Sequence, residues 1–331
     1  MCLPSPHFLF AERALSAKHT DRPEPSVSSS SPIGEADCSR VGLESFMLNH
    51  LLQADTRIIF STRDQLSFRF IGIPYANPFA RFSYSTPYTP SSPITINGLA
   101  FGSRCVQGNA GSEDCLFLNI FTPFLPESTK SKKLKPVLFW IHGGGFTGGQ
   151  GSDGIYDGGN MASRSDVVVV TINYRCAFPF NIDTKLLMIL YFSLGTLGFL
   201  ALDDGVTNGN FGIADQITAL QWVKKHIADF GGDPSRVTIY GQSAGAGSVR
   251  ALLGSPPAFG LFAGAIAQSN LGGFGYATTY TEYLSLEDEY SKYGAPLVKS
   301  VGCGNGTAED VLACLRKFPA QTLISAPNAP R

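Results

Sequence analysis

From about residue 41 onward, two apolar periods alternate along the chain. VLFWI (137–141) and VVVVTI (167–172) are continuous, β-branched or aromatic runs, and they predict strands buried on both faces. RVTIY (236–240) and GAIAQS (264–269) predict two more strands. Between 213 and 230 the period lengthens. Ile213, Ile217, Leu220, Val223 and Ile227 recur at spacings of three and four, predicting one apolar helix face with Lys224 and Lys225 outside it. Gly231-Gly232-Asp233-Pro234 should end that helix. Short strands alternating with helical segments predict the α/β class, with a mainly parallel central sheet flanked by helices.

Two stretches depart from this pattern. Residues 1–40 include PEPSVSSSSPIGEAD, which has no periodic apolar face and reads as a disordered leader. Residues 186–202 are apolar enough to suggest a membrane span. The run is shorter than about 20 residues and is interrupted by Ser193, Gly195, Thr196 and Gly198, so a stable span is not expected.

Composition narrows the function. The formal net charge of the 331 residues is -1, and no Lys/Arg stripe interleaved with aromatics occurs, which leaves a nucleic-acid partner without support. The start of the chain has no basic n-region ahead of its short apolar stretch and gives no clear secretory signal. Of seven cysteines, Cys105 and Cys115 lie close together, as do Cys303 and Cys314, leaving Cys2, Cys38 and Cys176. The spacing alone fits two short disulfide loops or buried free thiols equally well. Asn305-Gly306-Thr307 is a glycosylation sequon.

Chemistry concentrates in two motifs. Gly241-Gln242-Ser243-Ala244-Gly245 follows a predicted strand and precedes a helical stretch of small residues, the context of a nucleophile elbow. Upstream, His142-Gly143-Gly144-Gly145-Phe146 directly follows the strand VLFWI. Consecutive glycines let backbone N–H groups approach a developing oxyanion without obstruction by Cβ. No GK[ST] or GxGxxG accompanies these glycines, so nucleotide binding is not indicated. No His/Cys/Asp cluster has metal-ligand spacing, and no cofactor is expected.

With these motifs in place, the chain resembles the type B carboxylesterase/lipase family, which includes the cholinesterases, and most of all its fungal members. The matching stretches are FIGIPYA (70–76), GSEDCLFLNIFTP (111–123), PVLFWIHGGGFTGGQGS (136–152), 209–249 and GAIAQS (264–269). The resemblance implies an α/β-hydrolase fold, with residues 41–331 forming the N-terminal part of one domain that is incomplete at its C-terminal side. It implies Ser243 as the nucleophile of a carboxylic ester hydrolase, with Gly144, Gly145 and Ala244 donating the oxyanion-hole amides. It implies disulfides Cys105–Cys115 and Cys303–Cys314, the latter loop carrying Asn305, and hence a secretory location. Small-molecule or lipid esters would be the substrates. The family also contains non-catalytic adhesion members, the alternative reading.

Three departures from the family pattern matter. Gln242 stands where many relatives carry Glu, which disfavours cationic substrates. The family's acid and histidine lie well beyond the serine, so a chain ending at Arg331 is expected to be inactive, with an unpaired sheet edge and an uncovered apolar face. Of the five histidines, His7 and His19 fall in the leader and His50 at the poorly matched start. His142 should support backbone, and His226 should be solvated. Phe146 and Phe274 read as packing residues as readily as pocket residues.

Finally, 18 residues, 176–193, separate NYR from LGTLGFLAL, which run together in the family. They are expected to be an aberrant insertion, from a retained intron or gene-model error. Sequenced transcripts should lack these codons; a dominant transcript containing them would refute the expectation.

Overall fold

The structure, a computed structural model, describes residues 50–54, 57–64, 66–91, 94–126, 133–176, 195–270 and 284–326. The chain divides into two compact units, Met1–Ser45 and Phe46–Arg331, and all the described residues belong to the second. The expected leader, all of the 176–193 segment except Cys176, and Phe274 lie outside the described residues.

Among the described residues, nine strands form one sheet: β1 (His50–Ala54), β2 (Arg57–Asp64), β3 (Ser67–Pro74), β4 (Ile94–Asn97), β5 (Phe117–Thr122), β6 (Lys135–Ile141), β7 (Val168–Ile172), β8 (Gly232–Gln242) and β9 (Gly264–Gln268). Their order is β1-β2-β3-β5-β7-β6-β8-β9, with β4 beside β2. Pairing is antiparallel from β1 through β7 and parallel across β7, β6, β8 and β9. All five residues of β7 are buried, as its β-branched run requires. The helices are α1 (Gly159–Ser165), α2 (Thr196–Phe199), α3 (Phe211–His226), α4 (Ala244–Leu253), α5 (Leu286–Glu289), α6 (Ala295–Ser300), α7 (Ala308–Lys317) and α8 (Ala320–Ser325). Among the described residues, no helix is long and apolar enough to cross a membrane.

The main core joins the sheet to α3 and α4 through Phe70, Leu118, Phe139, Val170, Trp222, Ile239 and Leu252. A second core gathers Leu297, Leu315, Leu323 and Ile324 of the C-terminal helices against Leu197, Leu200 and Phe211. Both expected disulfides are formed, Cys105–Cys115 and Cys303–Cys314, while Cys176 is a buried free thiol.

Helix α3 departs from its expected face. Lys224 and Lys225 are exposed as expected, but Ile213 and Ile217 are only half-buried, while Asp215, Gln216 and Thr218 are buried. His226, expected to be solvated, is also buried, with its ring 5.1 Å from that of Trp222. The cause is a polar network that the apolar spacing cannot report. Arg175 Nε and Nη2 donate to the two carboxylate oxygens of Asp215 at 2.7 and 2.6 Å, and Ser85 Oγ donates to the same carboxylate at 2.7 Å. The guanidinium lies 4.3 Å from the ring centre of Phe79 and donates again to the Ser83 carbonyl. Gln216 Nε2 in turn donates to Ser248 Oγ of α4 at 3.0 Å. Paired polar groups can therefore occupy the inner side of the helix without the penalty of an unpaired buried charge.

At the far edge of the sheet, β9 is open. Its residues from Ala265 to Gln268 are exposed, and it pairs only with β8 among the described residues.

Asp215→Ala strands the Arg175 guanidinium in the interior and should cost about 3–5 kcal/mol in urea unfolding. A loss below about 1 kcal/mol would show that this network does not hold α3 to the end of β7.

Candidate active site

The parallel register of β6 and β8 sets Ile141 opposite Gly241. The two motif loops therefore leave the same end of the sheet side by side. Ser243 follows β8 immediately and caps α4, with φ 55° and ψ -120°. That is a sparsely populated backbone state for a side-chain-bearing residue, held here by the surrounding contacts. The Ser243 N–H donates to the carbonyl of Gln268 at the end of β9, and the Gly247 N–H donates to the Ser243 carbonyl, both at 3.0 Å.

The glycines are spaces that no side chain can fill. A Cβ on Gly245 would fall 2.1 Å from the Ile141 carbonyl oxygen, and one on Gly241 would fall 2.5 Å from Gly245 backbone. A Cβ on Gly143 would lie 2.7 Å from the Gln242 carbonyl oxygen and 3.3 Å from Ser243 Cβ. The triple-glycine loop thus abuts the serine directly. Gly144 and Gly145 adopt φ 112° and 62°. The N–H groups of Gly144, Gly145 and Ala244 make no hydrogen bond to another described residue. Ala244 is also the first residue of α4, at the positive end of its dipole. Ser243 is half-buried, and Gly144 and Gln242 are exposed.

His142 is a structural group. It is fully enclosed, its Nδ1 lies 2.8 Å from the Gly143 carbonyl, and its ring stacks 4.3 Å from that of Tyr174. A carbonyl only accepts, so Nδ1 carries the proton and Nε2 is the bare nitrogen, buried without a partner among the described residues. Burial lowers its pKa to about 4, although the bond to Gly143 pulls the other way. Phe146 is buried with φ 60° and packs edge-on to Phe199 at 5.3 Å. Asn305 is exposed in the Cys303–Cys314 loop.

Sequence reasoning missed two supports of this site. Tyr174 donates its hydroxyl to the His142 carbonyl at 2.7 Å, and Gln268 receives the Ser243 amide through its backbone. Neither contact leaves a mark in periodicity or spacing. A cleft of about 820 Å³ lies elsewhere, along α3 and α4, lined by Ile213, Ile217 and Arg250.

A model of the carboxylesterase family matches residues 59–180 and 186–329. The chain belongs to the carboxylesterase family. The break between the two matched stretches falls within the 176–193 segment. The chain is 38% identical to Esterase E4 of Myzus persicae over 78% of this chain and 44% of that protein. It is 31% identical to human Neuroligin-2 over 77% of this chain and 32% of that protein. Among solved structures, the carboxylesterase EST55 of Geobacillus stearothermophilus superposes with a TM-score of 0.67 at 34% identity, covering 83% of this chain and 52% of that one. This carboxylesterase-family chain thus spans about half the length of these two esterases.

Because His142 is held neutral, the unfolded chain binds its proton near pH 6.5 and the folded chain only near pH 4. The associated stability is present above pH 6.5 and is lost as pH falls toward 4, about 3 kcal/mol in all. His142→Gln should flatten this acid-side slope in denaturant titrations; an unchanged slope would contradict the assignment.

Proposed function

We propose that this chain carries the nucleophile and the oxyanion hole of a carboxylic ester hydrolase that works through an acyl-enzyme. One observation supports the reading above all: Ser243, in a strained elbow, lies against a glycine loop in which the Gly144 and Gly145 amides bond no other described residue. Ser243 Oγ attacks the ester carbonyl, and the N–H groups of Gly144, Gly145 and Ala244 receive the oxyanion. Collapse of the tetrahedral intermediate expels the alcohol and leaves Ser243 acylated. Water then releases the acid by the same route in reverse.

Neither His142 nor His226 fits the role of general base. The basic nitrogen of His142 is sealed in the interior and too weakly basic, and His226 is committed against Trp222 on α3. The base is therefore assigned to residues outside those described. The substrates we assign are neutral small-molecule or lipid esters, because the uncharged Gln242 offers no negative charge beside the nucleophile. The alternative, a non-catalytic binding member of the family, gives no use to a strained serine beside amides that bond no other described residue.

A fluorophosphonate probe should label the chain at Ser243 and leave Ser243→Ala unlabelled, a neutral phosphonate reacting faster than a cationic one. Labelling that persists in Ser243→Ala would overturn the nucleophile assignment.

A further inference from the structure

We infer that Gln107 is a positioning residue for the oxyanion loop, tying it to the disulfide loop Cys105–Cys115; the inference rests on the ester-hydrolase reading of Ser243. Its carboxamide pairs with both backbone groups of Gly149. Nε2 donates to the Gly149 carbonyl and the Gly149 N–H donates to Oε1, each at 2.9 Å. A side chain that merely filled space would present carbon to the loop. Gln107 instead satisfies one peptide unit at two points, as a neighbouring strand would.

Gln107 is itself held. Its N–H donates to the Ala110 carbonyl at 2.9 Å and the Ala110 N–H returns to the Gln107 carbonyl at 3.2 Å. Nε2 also reaches the Cys105 carbonyl at 3.2 Å, and the disulfide closes the base of this short loop. The clamp thus rests on a covalently fixed support.

From Gly149 the contact passes to the catalytic glycines through packing with no slack. A Cβ on Gly149 would fall 2.4 Å from His142 Nδ1 and 2.7 Å from the Gly143 carbonyl oxygen. A Cβ on Gly144 would fall 2.2 Å from the Gly148 carbonyl oxygen, and the Gly148 N–H donates to the Gly144 carbonyl at 3.3 Å. Displacing Gly149 therefore displaces Gly143 and Gly144. Oxyanion donors act by being fixed before charge develops, so such a shift acts on the maximal rate more than on binding.

The test uses saturation kinetics of fluorophosphonate labelling, together with hydrogen exchange across residues 143–149, in this chain. Gln107→Met keeps the bulk and loses both bonds. Gln107→Glu can still accept from the Gly149 N–H but cannot donate to its carbonyl. Gln107→Met should lower the maximal labelling rate about tenfold with the half-saturating probe concentration unchanged, and Gln107→Glu should fall between it and the native chain. Exchange at 143–149 should accelerate about tenfold in Gln107→Met. A lower labelled fraction and lower Tm, with the same maximal rate on the folded molecules, would reduce Gln107 to a stability residue and overturn the inference. Unchanged exchange would overturn it as well. If the native chain is not labelled while exchange still accelerates in the variant, the Ser243 reading fails and the clamp stands. Should Gln107→Met not fold, Gln107→Glu carries both measurements.

Discussion

The parallel pairing of β6 with β8 is the constraint on which the rest depends. Placing Ile141 opposite Gly241 brings two loops about a hundred residues apart in sequence to the same sheet end, within contact of each other. They fit only because Gly143, Gly241 and Gly245 present hydrogens where any Cβ would overlap backbone atoms. A side chain at any of the three would push the two loops apart. The glycines serve as contact surface as much as hinge, which is why they cluster on both sides of Ser243.

Around that contact, different forces hold different parts. Apolar burial fixes the sheet and the inner side of α4, while the ion pair between Arg175 and Asp215 fixes the end of β7 against α3. The imidazole of His142 closes the space beneath the glycine loop, with Tyr174 stacked on it and bonded to its carbonyl. A neutral, enclosed imidazole carries no charge penalty at neutral pH and becomes a liability in acid. The same group that stiffens the loop is thereby disqualified as a proton acceptor. Among the described residues, Ser243 is half-buried and the neighbouring strand β9 is exposed.

Much of this was legible in the sequence, and the reasons differ by element. The strands β6 and β7 announce themselves because burial on both faces demands unbroken apolar runs. The turn at Ser243 and the glycine loop were legible as loops because so tight a turn and so close an approach need small residues directly after strands. Both disulfides followed from resemblance, not from spacing, which was neutral between bonded and free thiols. Helix α3 was misread on its inner side. Asp215 and Gln216 look like solvent-facing positions until the partners Arg175, Ser85 and Ser248, remote in sequence, are brought to them. His226 failed for the related reason that its flanking lysines suggested a wet face while its own position turns toward Trp222. Periodicity reports apolar burial; it is blind to polar groups buried in pairs.

The central claim is geometric, and the crystal structure of the chain after reaction with a phosphonate tests it most directly. The phosphorus should be bonded to Ser243 Oγ, with the phosphonyl oxygen about 2.7–3.1 Å from the backbone nitrogens of Gly144, Gly145 and Ala244. An adduct on another residue, or an oxygen turned away from those three amides, would contradict the account.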